Sequence, residues 1–148
     1  MKKWKATCLV LLTIVGLIGI ILIWNWKQLE MGFATSADYH EQDAKEYNYY
    51  TPDLLKRMPR ISNNYKFEYH YVDAQEFYVY SLAFGDTTDT RKIREFLLAE
   101  GYSPQPSCPT EAECLASPRN KDEVSFYSSS HLNMVKINIV RSAKHGRI

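Results

Sequence analysis

The residues that most restrict this chain are Ala6 to Trp24, ATCLVLLTIVGLIGIILIW, which carry no charge and, beside Thr13, only the weakly polar Thr7 and Cys8. At a rise of about 1.5 Å per residue, a helix of this length reaches about 28 Å, close to the roughly 30 Å hydrocarbon core of a bilayer. A lone segment in lipid can satisfy its backbone polar groups only as a helix. The sequence therefore predicts a single-pass anchor, in contact with the lipid bilayer through residues 6–24.

The flanks predict a direction. Lys2, Lys3 and Lys5 precede the run, whereas only Lys27 follows closely and Glu30 soon offsets it. Basic residues favour the cytoplasmic side, which predicts a cytoplasmic amino terminus at a bacterial inner membrane and a periplasmic carboxy-terminal part. Trp4 at one end, with Trp24 and Trp26 at the other, carry amphipathic rings suited to the headgroup region. Gly16 and Gly19 lie three apart, not four, and offer little for a G-x-x-x-G dimer. A cleaved secretory signal has the same outline, but its apolar core usually runs about 7 to 15 residues with a small-x-small site soon after. Here the nearest such sites, Gly32 to Ala34 and Thr35 to Ala37, lie beyond Trp26, Lys27 and Glu30. An uncleaved anchor is the favoured reading. Cys8 stands too early to be lipidated after a signal core, and in lipid it counts as a small apolar group.

With the anchor set aside, roughly 120 residues remain, enough for one core and not two. Lys and Arg total 18 against 17 for Asp and Glu. Such a balance gives no electrostatic reason to expect nucleic acid. Tyrosine is the unusual residue: the chain has 11, and their amphipathic rings suit both sheet packing and protein recognition. Cys108 and Cys114 sit in CPTEAECLASP, a loop-like segment among Pro104, Pro106, Pro109 and Pro118. On an exported domain they read as a local disulfide. A metal pair is the competing reading, but no second cysteine pair or spaced histidine pair completes a tetrahedral site.

In chain order, residues 27–50 read as an acidic tether, with Tyr47, Tyr49 and Tyr50 hinting that its end docks on the domain. Thr51 caps a short helix through Met58, with Pro52 in its first turn and Pro59 beyond its end. Tyr65, Phe67, Tyr69 and Tyr71 alternate with Lys66, Glu68 and His70, the cleanest strand pattern in the chain. A turn at Val72 to Gln75 leads to a second strand, EFYVYSLAF, apolar on both faces as a covered central strand would be. Thr87 or Thr88 caps a helix that carries Ile93, Phe96 and Leu97 on one face and stops at Gly101. Val124 to Tyr127 and Met134 to Val140 form another strand pair, with Val135, Ile137 and Ile139 inward. The expected fold is α+β: the transmembrane helix, then a small four-stranded antiparallel sheet of two hairpins with one main helix on it. Its parts are a tip and anchor over 1–26, the tether over 27–50, the domain over 51–141 and a basic tail over 142–148.

Chemistry is hard to find. His40, His70, His131 and His145 are scattered through tether, strand, turn and tail, with no ligand spacing on one element. Ser128 to Ser130 beside His131 are explained by a polar hairpin turn, and a triad would need an orienting carboxylate and oxyanion donors besides. Glu111 and Glu113 sit where solvent keeps both ionised, and no Gly-rich phosphate loop is present. Neither a cofactor nor an activity as an enzyme is expected. The ladder of Tyr65, Phe67, Tyr69 and Tyr71 reads first as core. Tyr78 and Tyr80 on the neighbouring strand add more rings than one small domain can hide, so Tyr65, Tyr69, Tyr71, Tyr78 and Tyr80 form the candidate protein-binding surface. Two functions fit. One is an immunity or inhibitor protein that neutralises a toxin acting in the periplasm or at the inner membrane. The other is a structural accessory of a secretion or division complex, for which the helix itself matters.

Overall fold

The computed structural model of the chain describes residues 2–108 and 112–143. Outside them lie Pro109 and Glu111 of the cysteine loop and, from Lys144 onward, most of the expected basic tail, His145 included. The chain divides into two units, Met1–Ala34 and Thr35–Ile148.

In the first unit the apolar run forms most of α1 (Lys2–Trp24). Ala6–Trp24 has a mean hydropathy of 2.9 and no part of it is buried, and it is the single helix among the described residues long and apolar enough to cross a membrane. A signal helix has the same properties. Asn25, at φ −98° and ψ 6°, then caps α2 (Trp26–Phe33), its carbonyl accepting the Gln28 and Leu29 N–H groups at 3.0 Å.

The second unit is built on a seven-stranded antiparallel sheet, which corrects the expected four strands. In chain order these are β1 (Ser36–Tyr39), β2 (Tyr65–Val72), β3 (Phe77–Gly85), β4 (Ser103–Pro104), β5 (Glu113–Ala116), β6 (Glu123–Ser129) and β7 (Met134–Ser142). Their spatial order is β1-β2-β3-β7-β6-β5-β4. The three additional strands lie at the sheet's edges and are short, with compositions that carry little intrinsic strand preference. SADY pairs on β2 because Tyr39 stands opposite Phe67 and stacks against it, ring centroids 5.7 Å apart. ECLA holds to β6 through Leu115 opposite Val124. Ser103–Pro104 ends the sheet, and a proline without an N–H is tolerated at such an edge. Three helices accompany the sheet, α3 (Ala44–Tyr50), α4 (Asp53–Arg57) and α5 (Arg91–Ala99); α4 and α5 stand where the short helix and the main helix were expected, and α3 is additional, formed within the expected tether.

Register decides the layers. Phe67 opposes Leu82, and Leu82 opposes Ile137, which opposes Phe126. These four are 0 or 1% exposed, as are Leu55 of α4 and Ile93 and Leu97 of α5. Burial of each such side chain contributes about 1.5 to 3 kcal/mol. The helices lie on the face that carries the aromatic ladder, and the alternate residues Lys66, Glu68, Ser81, Lys136 and Asn138 form the opposite face, where Ser81 and Glu68 are themselves only 2% and 9% exposed. α5 begins after Thr90, where Asp89 accepts the Arg91 N–H at 3.0 Å. It ends before Gly101, whose φ of 88° favours glycine, with the Tyr102 N–H returning to the Leu97 carbonyl at 3.0 Å.

Candidate functional site

All five tyrosines of the expected surface lie on the helix-covered face, because the β2–β3 register sets Tyr69 opposite Tyr80 and Tyr71 opposite Tyr78. Tyr69 and Tyr80 are 2% and 5% exposed. Their rings lie 5.7 Å apart, and Tyr50 of α3 stacks on Tyr69 at 4.4 Å. Tyr71 and Tyr78 are half-buried, with ring centroids 5.0 Å apart. Tyr65 stands at the other end of β2, where its hydroxyl donates to Glu41 at 2.6 Å and Arg60 lies over its ring at 5.1 Å. That hydrogen bond holds the Glu41 carboxyl below the ordinary carboxylate range.

Tyr69 and Tyr80 form the floor of a groove of about 860 Å³. One wall runs from Asn48 to Arg57 through the end of α3 and all of α4. The other is made by Glu100, Tyr102 and the segment Ser117 to Asp122 between β5 and β6, with Arg141 and Ser142 of β7 beneath. Proline at position 52 and the helix ends on either side keep the first wall from continuing α3 into α4. Around the groove basic side chains outnumber acidic ones, Lys56, Arg57, Arg119, Lys121 and Arg141 against Asp53, Glu100 and Asp122.

Two ion pairs organise those charges. Arg141 donates to both oxygens of Asp122, Nε at 2.8 Å and Nη2 at 2.6 Å, and stacks over Tyr80 at 5.6 Å. The Asp122 carboxylate raises the guanidinium's pKa further. Arg57 reaches from α4 to Glu100 in a two-pronged pair, one contact at 2.8 Å, and holds that carboxyl below its ordinary range. Both arrangements match the planar fork of arginine to a carboxylate. Asn120 donates to the Tyr102 hydroxyl at 3.0 Å. With Tyr69 and Tyr80 nearly covered, the exposed residues of the groove include Tyr49, 39% exposed, and Arg57, Arg119, Asn120 and Lys121 on its rim. Glu100 and Asp122 are each bonded to an arginine, Arg57 and Arg141 respectively.

Of the groove, sequence reasoning found Tyr69 and Tyr80 and missed the rest. Arg141 carried a signal: it continues the inward alternation of Val135, Ile137 and Ile139, which places an arginine on the covered face. Tyr49 had one in the tyrosines at the end of the tether, which hint at docking on the domain, whereas Glu100, Tyr102 and Asn120 had none.

The remaining expected residues fall elsewhere. Cys108 and Cys114 are joined by a disulfide, with Cα atoms 5.4 Å apart. Trp4, Trp24 and Trp26 are 77%, 86% and 67% exposed on the helices of the first unit. On the opposite face of the sheet, Asp38, Glu68 and His70 bring ligand-type atoms within 4.8 Å of one another. Glu68, however, is bonded to Lys136 at 2.6 Å and Lys66 at 2.9 Å. Burial pushes its carboxyl up, but the two lysines outweigh this and hold it below the ordinary range. Their charge opposes a cation there. Comparison of the chain with protein-family models, curated proteins and solved structures gives no match.

Proposed function

We propose that this chain is a membrane-anchored, non-enzymatic protein-binding domain held on the periplasmic side of a bacterial inner membrane, and that it acts as an immunity protein against a toxin of that compartment. The groove carries the reading: a tyrosine-floored cleft with paired arginines and an exposed rim of Tyr49, Arg119, Asn120 and Lys121. Tyrosine and arginine dominate protein interfaces because each combines apolar area with a directed polar end. The excess of lysines before the anchor supports a cytoplasmic amino terminus, and the Cys108–Cys114 disulfide supports an oxidising compartment.

The test is capture from envelope extract by the full chain in detergent, side by side with an Arg119→Glu/Lys121→Glu variant. The expected result is one specific protein retained by the native chain and lost by the variant. Growth arrest caused by that protein in the periplasm should then be relieved by co-production of the native chain alone. No specific partner, or one held equally by the variant, overturns the reading. Replacement of residues 6–24 by an unrelated spanning helix should leave protection intact; its loss favours a part of an envelope complex that works through the helix.

A further inference from the structure

We propose that α2 docks along the membrane surface, with Trp26, Leu29 and Phe33 seated in the headgroup layer of a phospholipid bilayer; this rests on reading Ala6–Trp24 as a spanning helix. Positions 26, 29 and 33 have the three-and-four spacing that places side chains on one helix face. They are 67%, 43% and 84% exposed, an apolar stripe apart from the buried Met31, on a helix that presents Lys27, Gln28 and Glu30 to solvent. A stripe rich in tryptophan and phenylalanine is the composition that interfacial helices use.

Continuity with the spanning helix identifies the occupant. Only Asn25 separates α2 from α1, so the stripe begins where the apolar run ends. Asn25 departs from helical dihedrals at φ −98° and ψ 6°, and both its backbone N–H, at 3.0 Å, and its Nδ2, at 2.8 Å, donate to the Ile21 carbonyl at the end of α1. The helix is broken at the level where a change of direction would lay α2 flat. Were α2 to continue along the bilayer normal, Phe33 would stand about 13 Å beyond Trp24, past a headgroup layer of about 5 to 8 Å per leaflet. Lying flat, α2 keeps all three side chains within the depth of about 5 to 10 Å that interfacial helices occupy. Lys27 and Glu30 cancel, so the attraction is apolar and zwitterionic lipid suffices.

The experiment places the full chain in phosphatidylcholine vesicles, with or without bromine on the acyl carbons nearest the headgroup. A W4F/W24F/W26F background carrying Phe33→Trp reports on the end of α2, and a W4F/W26F chain retaining Trp24 reports on the anchor. Both tryptophans should emit to the blue of a water-exposed indole and lose intensity in the brominated vesicles, with no change at high salt. Quenching at Trp24 with water-like, unquenched emission from Phe33→Trp overturns the proposal and leaves the anchor standing. Absence of quenching at both overturns the anchor and the proposal together. Adding Leu29→Glu to the Phe33→Trp chain should abolish the blue shift, and quenching that survives it overturns the role of the stripe.

Discussion

Tyr39 and Thr51 show how much a single buried polar contact decides. Their hydroxyls meet at 3.0 Å beneath the wall of the groove. Burial raises the Tyr39 phenol well above its ordinary value of 10.0, only partly offset by the bond to Thr51. The unfolded chain releases that proton near pH 10 while the native state keeps it, so this residue's contribution is fully present below pH 10 and is lost as the pH climbs beyond it. Tyr39→Phe should cost about 1 to 2 kcal/mol at neutral pH through the stranded Thr51 hydroxyl. Denaturant melts between neutral pH and pH 11 should show a shallower alkaline decline than the native chain. Asp122→Asn weakens the pair with Arg141, both side chains mostly buried at 16% and 13% exposure. A loss of about 1 to 3 kcal/mol in urea unfolding is expected, and adding Arg141→Met should recover part of it, because the guanidinium is then no longer buried without its charge partner.

Among the elements, α4 has five residues and one fully buried side chain, Leu55 at 1% exposure. So short a helix has no stability of its own and stays in place by what it buries. Leu55→Ala should cost about 2 to 5 kcal/mol in denaturant unfolding and loosen the groove wall that α4 forms. On the opposite face, Glu68 ties β2 to β7 through Lys136. Its carboxyl is held below 4.5 in the folded state, so the stability it contributes is present above that value and lost as the pH falls through the folded one. Glu68→Gln should cost about 1 to 2 kcal/mol at neutral pH and flatten the acid limb of a stability profile measured from pH 6 downward.

For the molecule as a whole, the disulfide is a local staple. Cys108 and Cys114 are six positions apart, and closing so short a loop stabilises by about 2 kcal/mol in the chain-entropy account. Reduction, or Cys108→Ser with Cys114→Ser, should lower the midpoint of thermal unfolding without abolishing folding. Circular dichroism melts with and without reductant check this, with Cys8 left in place as the unpaired thiol. The hydrophobic core spans both halves of the sheet, with β3 and β7 as its central pair, so the edge carrying β4 and β5 is where such a loss should be felt.

The sequence by itself determined what depends on neighbours along the chain. Ala6–Trp24 is an uncharged apolar run long enough to form one helix, and Tyr65 to Tyr71 alternate because each strand residue faces opposite to the next. The tertiary structure decided what depends on partners far away. β1, β4 and β5 become strands because a neighbour supplies their hydrogen bonds, a matter on which SADY and ECLA are silent. The pairing of β3 with β7 joins residues 49 to 65 positions apart, from Gly85 opposite Met134 to Phe77 opposite Ser142. That register brings Tyr80 beside Arg141 and so creates the groove, which no stretch of sequence contains.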